Sequence, residues 1–425
     1  MGADELTEPH LRPGAGHHPG TRSARRALAA LAAAAVLGGI AGCGAPSGEE
    51  TERGGGAEAG NRAHARAGAE KEAGRGAAGG KKRSGFSLVA TGDLLVHDSI
   101  IRQARADSGG SGYDFRRMIG AARPMARQAD VALCHMETVY GPDGGPFSGY
   151  PLFKTPPQIA GSVKDLGYDS CSTASNHTLD AGSDGVTRTL DAMDGAGLRH
   201  AGSARSRAEA ARPAMMRAGD AKVAQLAYTY GTNGISLPQD KPWLVRLIES
   251  ERIIADARAA RRAGADVVVA SLHWGTEWQQ EPDALQRSVA RKLTASRSHG
   301  RRDIDLILGT HAHVPQAYEK VNGTWVVYGM GDQIAGKMND PRGTMGSAAR
   351  FRFAPPAGRG RGEWRVQKAE FTPFLMRTTP RHTLVNLADK ASRNAGDPEQ
   401  DHAYDTIRGA VLSRGAAKDG LRMTS

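Results

Sequence analysis

The chain has 425 residues, a formal net charge of +11 and only three cysteines. That length, with 39% hydrophobic residues, allows a large buried core, so the chain is neither wholly disordered nor a small disulfide-stapled scaffold. Arginines are spread along the chain with no aromatic-and-basic stripe and no recognised DNA- or RNA-binding motif, which argues against nucleic acid and leaves polyanions or anionic lipid as charge partners.

In chain order, Arg22, Arg25 and Arg26 precede an apolar run from Ala27 to Ile40, followed by Ala41, Gly42 and Cys43. A basic start, a short apolar stretch and small residues at its end predict a secretory signal peptide. The run is too short for a comfortable membrane span. Ile40-Ala41-Gly42-Cys43 resembles a bacterial lipobox, in which cleavage precedes the cysteine and its sulfur carries the lipid. Residues 1–43 are therefore expected to be a lipoprotein signal peptide, with Cys43 anchored at the extracytoplasmic face of the cell membrane. Without lipidation the chain would be secreted. Residues 44–85 are Gly, Ala and charged residues with almost no large apolar side chains. Such a stretch cannot offset its ordering entropy and is expected to be a tether.

The folded domain is expected over 86–375. Five short apolar runs there end in a small residue and then a metal-competent side chain. The first runs from Phe86 to Gly92-Asp93, with His97 close behind. The second runs from Asp130 to His135 and Glu137. The third leads from Tyr168 into Ser175-Asn176-His177-Thr178-Leu179-Asp180-Ala181-Gly182. The fourth runs from Asp266 to His273, and the fifth from Asp305 to His311 and His313. Their β-branched content reads as buried strands. Helices are predicted between them, at 100–106, 115–129, 157–166, 185–196, 251–263 and 282–295. This alternation predicts a largely parallel sheet with helices packed on it. Ligands in such sheets collect outside the carboxyl ends of the strands. Beyond His313, extended runs at 324–328, 348–353, 364–371 and 384–386 predict a second sheet. Residues 376–425 read as a polar extension with a helix at 404–412. Cys134 and Cys171 fall near strand ends; a disulfide is open to them, with two buried free thiols the preferred reading.

Six ordered motifs carry a family resemblance. They are Gly92-Asp93; His135 to Thr138; Ser175 to Gly182; His273 to Trp278; Gly309 to Gln316; and Tyr328 to Asp332. In this order they resemble the CapA family of bacterial proteins linked to poly-γ-glutamate capsule synthesis and export. The resemblance covers 86–336 and continues more weakly to about 375. It implies an α/β fold, a layered α/β/β/α sandwich like that of the calcineurin-like metallophosphoesterases. It also implies a centre of two divalent transition metals (Mn, Fe or Zn), held by Asp93, Glu137, Asn176, His273, His311 and His313. His177 would be the proton donor and Asp180 would orient it. His97, His135, Glu277 and Asp332 are further candidates for ligation or substrate contact, with Trp278 at the mouth. The pattern departs from the phosphoesterases at Leu95, where they place a histidine. It departs from CapA proteins at His135 and at Asp332-Gln333, where they usually carry asparagine and Asn-Phe.

Two functions follow from the resemblance. One is a lipid-anchored capsule or poly-γ-glutamate biosynthesis protein with a metal-dependent hydrolase site for a phosphoester or γ-glutamyl amide. The other is a non-catalytic scaffold that binds an anionic envelope polymer within a polymer synthase complex.

Overall fold

Residues 84–357, 362–394 and 396–424 are described by the computed structural model. The expected signal peptide, Cys43 and all but the last two residues of the tether lie outside them. The amino half comprises β1 (Phe86–Leu94), α1 (Asp98–Asp107), α2 (Arg123–Arg127), β2 (Val131–Met136), α3 (Gln158–Leu166), β3 (Ser170–Ser172), α4 (Gly182–Gly195) and β4 (Arg199–Ala201). Next come α5 (Arg207–Ala210), β5 (Ala214–Ala218), β6 (Ala221–Thr229), α6 (Ser250–Arg262), β7 (Val267–His273) and α7 (Ala284–Ala295). A two-stranded ribbon, β8 (Arg297–Ser298) and β9 (Arg301–Arg302), leads to β10 (Leu306–Thr310), β11 (Tyr318–Val321), β12 (Thr324–Val327) and β13 (Asp332–Ile334). The chain closes with β14 (Met345–Ala354), β15 (Arg365–Arg377), β16 (Thr383–Asn386), α8 (Pro398–Leu412) and β17 (Leu421–Met423).

Two sheets organise these elements. The nine-stranded sheet has the order β16-β15-β14-β1-β2-β3-β4, with β13 beside β1 and β17 beside β15. The six-stranded sheet has the order β11-β12-β10-β7-β6-β5. Within them β1 to β4 are parallel neighbours, as are β6, β7, β10 and β12.

Side-chain alternation along the strands builds three layers of core. Val131 and Leu133 of β2 point inward, with Leu88 of β1 and Phe351 of β14, against Val267, Val269 and Leu306 of the other sheet. Ala132, Cys134 and Met136 point the other way, onto Ile100, Ile159 and Val163 of the helices. On the far side Val268, Ala270 and Ile307 pack against Ile253, Ala257 and Leu293. The result is the α/β/β/α sandwich expected from the motifs.

Three expectations change. The helix predicted over 115–129 reduces to a 3-10 turn at Gly120–Ala122 and α2. Pro124 accounts for this, since proline is tolerated only in a helix's first turn. Cys134 and Cys171, preferred as free thiols, are register partners on β2 and β3, with Cα atoms 4.4 Å apart, and form a disulfide. The segment after 375 is no polar appendage: β15 runs on to Arg377, β17 pairs with it, and Ala403, Ile407 and Val411 of α8 enter the inter-sheet core.

Candidate metal centre

The inward-facing pattern of β2 (131, 133, 135) ends on His135, and that of β7 (267, 269, 271, 273) ends on His273. The two rings stack with centroids 4.7 Å apart across the gap between the sheets. On β1 the ladder to β2 shifts between Ala90 and Asp93, and Asp93 then falls in register with His135. Such irregularities re-aim side chains beside functional sites. Gly92 makes room for this: a Cβ there would lie 1.8 Å from the Gly331 carbonyl oxygen. Gly309 does the same before His311, where a Cβ would meet the Tyr328 carbonyl oxygen at 1.9 Å. The glycines ahead of Asp93 and His311 are thus a requirement of close backbone packing.

Asp93, Glu137, Asn176, His273, His311 and His313 all come together and all are buried. Glu137 Oε1 lies 3.6 Å from His313 Nε2 and 3.7 Å from His273 Nε2. Asp93 Oδ1 lies 3.5 Å from His135 Nε2 and 3.8 Å from His273 Nδ1, while its Oδ2 accepts a hydrogen bond from the His311 amide at 3.1 Å. Asn176 Oδ1 is 2.8 Å from His273 Nε2. His311 and His313 have φ of 93° and 53°. Left-handed backbone at non-glycine residues is strained and persists where the surroundings enforce it.

The electrostatics of this cluster are unbalanced without a cation. Burial raises the pKa of Asp93 to about 8, and the Asp332 carboxylate adds to the effect. Glu137 is pushed well above its ordinary value, chiefly by burial. Burial also depresses His273 and His311 well below the usual imidazole range. For His313 burial acts against charge, but Asp332 and Glu137 overcome it and raise its pKa. Asp93 Oδ1, His135 Nε2, both Glu137 oxygens, His311 Nδ1 and Asp332 Oδ2 are buried without a hydrogen-bond partner. An orphaned buried polar atom costs roughly 1–3 kcal/mol, more if charged. Six of them in one place, all oxygens or imidazole nitrogens, fit divalent cations.

The remaining predicted residues divide. His135 is held by Ser172 Oγ at 2.7 Å from Nδ1 and turns Nε2 to Asp93. Asp332 joins Asp93, Glu137 and His313. His97 belongs to none of the candidate ligand groups among the described residues: its Nδ1 accepts from the Gly336 amide at 3.1 Å and its ring meets the Phe153 ring. His177 Nδ1 lies 2.7 Å from Asp180 Oδ2, which also accepts from the Phe153 amide at 2.8 Å. Glu277 is exposed, and its charge acts on both Glu137 and Asp332. Trp278, half-buried at φ 65°, lies over His313 with centroids 5.6 Å apart.

Two residues carry no signal in the sequence. Tyr230, 42% exposed, covers His311 with centroids 4.4 Å apart. Asn233 accepts from Asn176 Nδ2 at 3.2 Å and places its own Nδ2 3.5 Å from His177 Nε2. Tyr230 and exposed Tyr150, whose ring contacts Phe153, bring aromatic surface to the site. A separate cavity of about 320 Å³, lined by His200, Glu209 and Arg246 among others, lies away from this cluster and takes no part in it.

Paired sheets between helix layers, with a buried imidazole–carboxylate cluster at the strand ends, define a sandwich protein with a metal-competent centre. The chain belongs to the bacterial capsule synthesis protein family PGA_cap, which residues 87–337 match. A probable polyglutamine synthesis accessory protein of Mycobacterium tuberculosis is 28% identical over 217 residues, covering 48% of this chain and 55% of that protein. The PGA biosynthesis protein CapA of Bacillus subtilis is 27% identical over 174 residues, covering 40% and 44%. The chain thus spans about half the length of the curated relatives it matches. Among solved structures, the calcineurin-like phosphoesterase YfkN of Bacillus subtilis aligns with a TM-score of 0.40 at 16% identity, over 77% of this chain and 98% of that one. A 5'-nucleotidase precursor of Thermus thermophilus aligns with a TM-score of 0.43 at 16% identity, over 77% and 58%.

Proposed function

We propose that this is an extracytoplasmic protein, lipid-anchored through Cys43, that acts in capsule or poly-γ-glutamate biosynthesis through a two-metal hydrolase site. The observation that carries the reading is the convergence of six unpartnered buried donor atoms where the two sheets' strand ends meet. Asp93, Glu137 and His313 would hold one cation. Glu137, Asn176, His273 and His311 would hold the other, with His135 steadying Asp93 from the next strand. When bound, the metal pair supplies Lewis acidity and a clamp for the attacking and leaving oxygens of an ester or amide.

The protein's own groups do the rest. The Asp180 carboxylate fixes the His177 ring through Nδ1, which turns Nε2 toward Asn233. From there His177 can give a proton to a leaving group, the usual work of an imidazole near neutral pH. Asn233 holds the Nε2 edge and Asn176 together, marking where a leaving group would enter. The substrate is a phosphoester or γ-glutamyl amide, and the working partners are an anionic envelope polymer, the membrane and a synthase complex.

Metal analysis of the full chain, purified without chelator, tests this. About two equivalents of divalent transition metal are expected, and a His311→Ala/His313→Ala variant should lose them along with hydrolysis of phosphoester or γ-glutamyl substrates. A folded wild-type protein that takes no metal even from added Mn²⁺ or Zn²⁺ would instead support the non-catalytic polymer-binding scaffold.

A further inference from the structure

Asp93 has a register partner on each side. His135 lies beside it on β2, and Asp332 lies beside it on β13, which runs parallel to β1. Asp332 is fully buried. Its Oδ1 lies 3.0 Å from His313 Nδ1, and its Oδ2 has no hydrogen-bond partner. Asp93, Glu137, His313 and Asp332 each offer a donor atom within 4.8 Å of the others. The side chain two residues after Asp93, where an imidazole could have served this position, is Leu95, which is buried.

We propose that Asp332 is the fourth ligand of the first metal position and makes that position selective for a hard, oxygen-preferring cation of the Mn²⁺ type. The inference rests on the two-metal reading above and specifies it. With Asp332 the first position has three carboxylates and one imidazole. The second, built from Glu137, Asn176, His273 and His311, has two imidazoles, one carboxylate and one amide. Carboxylate-rich sets suit Mn²⁺ and Mg²⁺, whereas imidazole-rich sets suit Zn²⁺. The two halves of the centre therefore differ in kind, and the protein is built for a mixed pair. Asp332 accomplishes this from β13, because the ladder sets its carboxylate level with that of Asp93.

The test is metal competition on the full chain, stripped and then offered two equivalents of Zn²⁺ with a large excess of Mn²⁺, which offsets the general preference of such sites for Zn²⁺. Metal analysis counts the ions, and electron paramagnetic resonance reports bound Mn²⁺. Wild type should retain one Mn²⁺ and one Zn²⁺ per chain. Asp332→Asn keeps an oxygen acceptor for His313 Nδ1 but removes the charge. It should weaken Mn²⁺ at least about 10-fold while Zn²⁺ at the second position is held, since even outer-shell losses at metal sites reach that size. Asp332→His should restore two ions per chain, now both Zn²⁺. Circular dichroism confirms that each variant is folded. Unchanged Mn²⁺ affinity in folded Asp332→Asn overturns the assignment. An equal loss of both metals also overturns it, because the variant would then have disturbed the whole cluster and not one position's ligand set. A wild-type chain that binds neither metal fails the two-metal reading itself, and this inference with it.

Discussion

Asp93 illustrates what the centre costs a metal-free protein. Its folded pKa is about 8 against an ordinary 3.8, mainly through burial. Between those values the folded state keeps a proton that the unfolded chain has released, so stability falls as pH rises. Each such group costs up to about 1.4 kcal/mol per pH unit. Glu137 and Asp332 are raised too and act in the same direction. The histidines oppose this at low pH. His135 is held down to about 3, and His273 and His311 are also depressed, so their contribution grows until the unfolded imidazoles deprotonate near 6.5. Above pH 6.5 only the decline remains, joined by His313, whose pKa is raised. Urea unfolding of metal-stripped protein should therefore show stability dropping from pH 6.5 to about 8, with saturating divalent metal removing the drop. A flat profile in stripped protein would contradict the burial of these carboxylates. At this scale the sequence was informative where candidate ligands sit at strand ends, as for Asp93, His273 and His311. It was silent on Tyr230 and Asn233, which lie on an aperiodic loop after β6 and reach the centre only through the sandwich.

The strands carry these residues into place, so their alignment matters as much as the side chains. Cys134 and Cys171 join β2 and β3 on the helix-facing side, just before the chain delivers Glu137 and Asn176. Their separation of 37 residues predicts roughly 2–4 kcal/mol of stabilisation from closing that loop in the unfolded chain. A Cys134→Ala/Cys171→Ala variant should therefore unfold at lower denaturant than oxidised wild type and match the reduced protein. Equal midpoints for oxidised, reduced and variant forms would mean that the bridge contributes nothing. Helices were legible in the sequence: the one predicted at 185–196 from the apolar spacing of Val186, Leu190 and Met193 corresponds to α4, and those predicted at 251–263 and 282–295 correspond closely to α6 and α7 on the other sheet. The bridge was not legible, because two cysteines near strand ends reveal neither strand order nor register. Here the parallel β2–β3 ladder places them directly opposite each other.

The sandwich as a whole closes only with its last fifty residues, although their polar composition suggests an appendage. Ile407 and Val411 of α8 and Leu421 of β17 lie in the same core cluster as Leu88 of β1 and Phe351 of β14. β17 is only three residues long, and its parallel pairing with Ala369 to Phe371 depends on a strand about fifty positions earlier, which local pattern cannot reveal. Burying each of these three aliphatic side chains contributes roughly 1.5–3 kcal/mol. Together they approach the total stability of an ordinary domain, about 5–15 kcal/mol. A chain ending at Leu375 would also lose β16, the edge partner of β15. Such a chain should fail to give a cooperative thermal transition by circular dichroism, whereas one that starts at Ser84 and runs to Ser425 should melt like the full protein. If the shortened chain instead melted cooperatively at the wild-type temperature, the C-terminal helix and strand would be an attachment to the sandwich. The centre between the sheets would then owe them nothing.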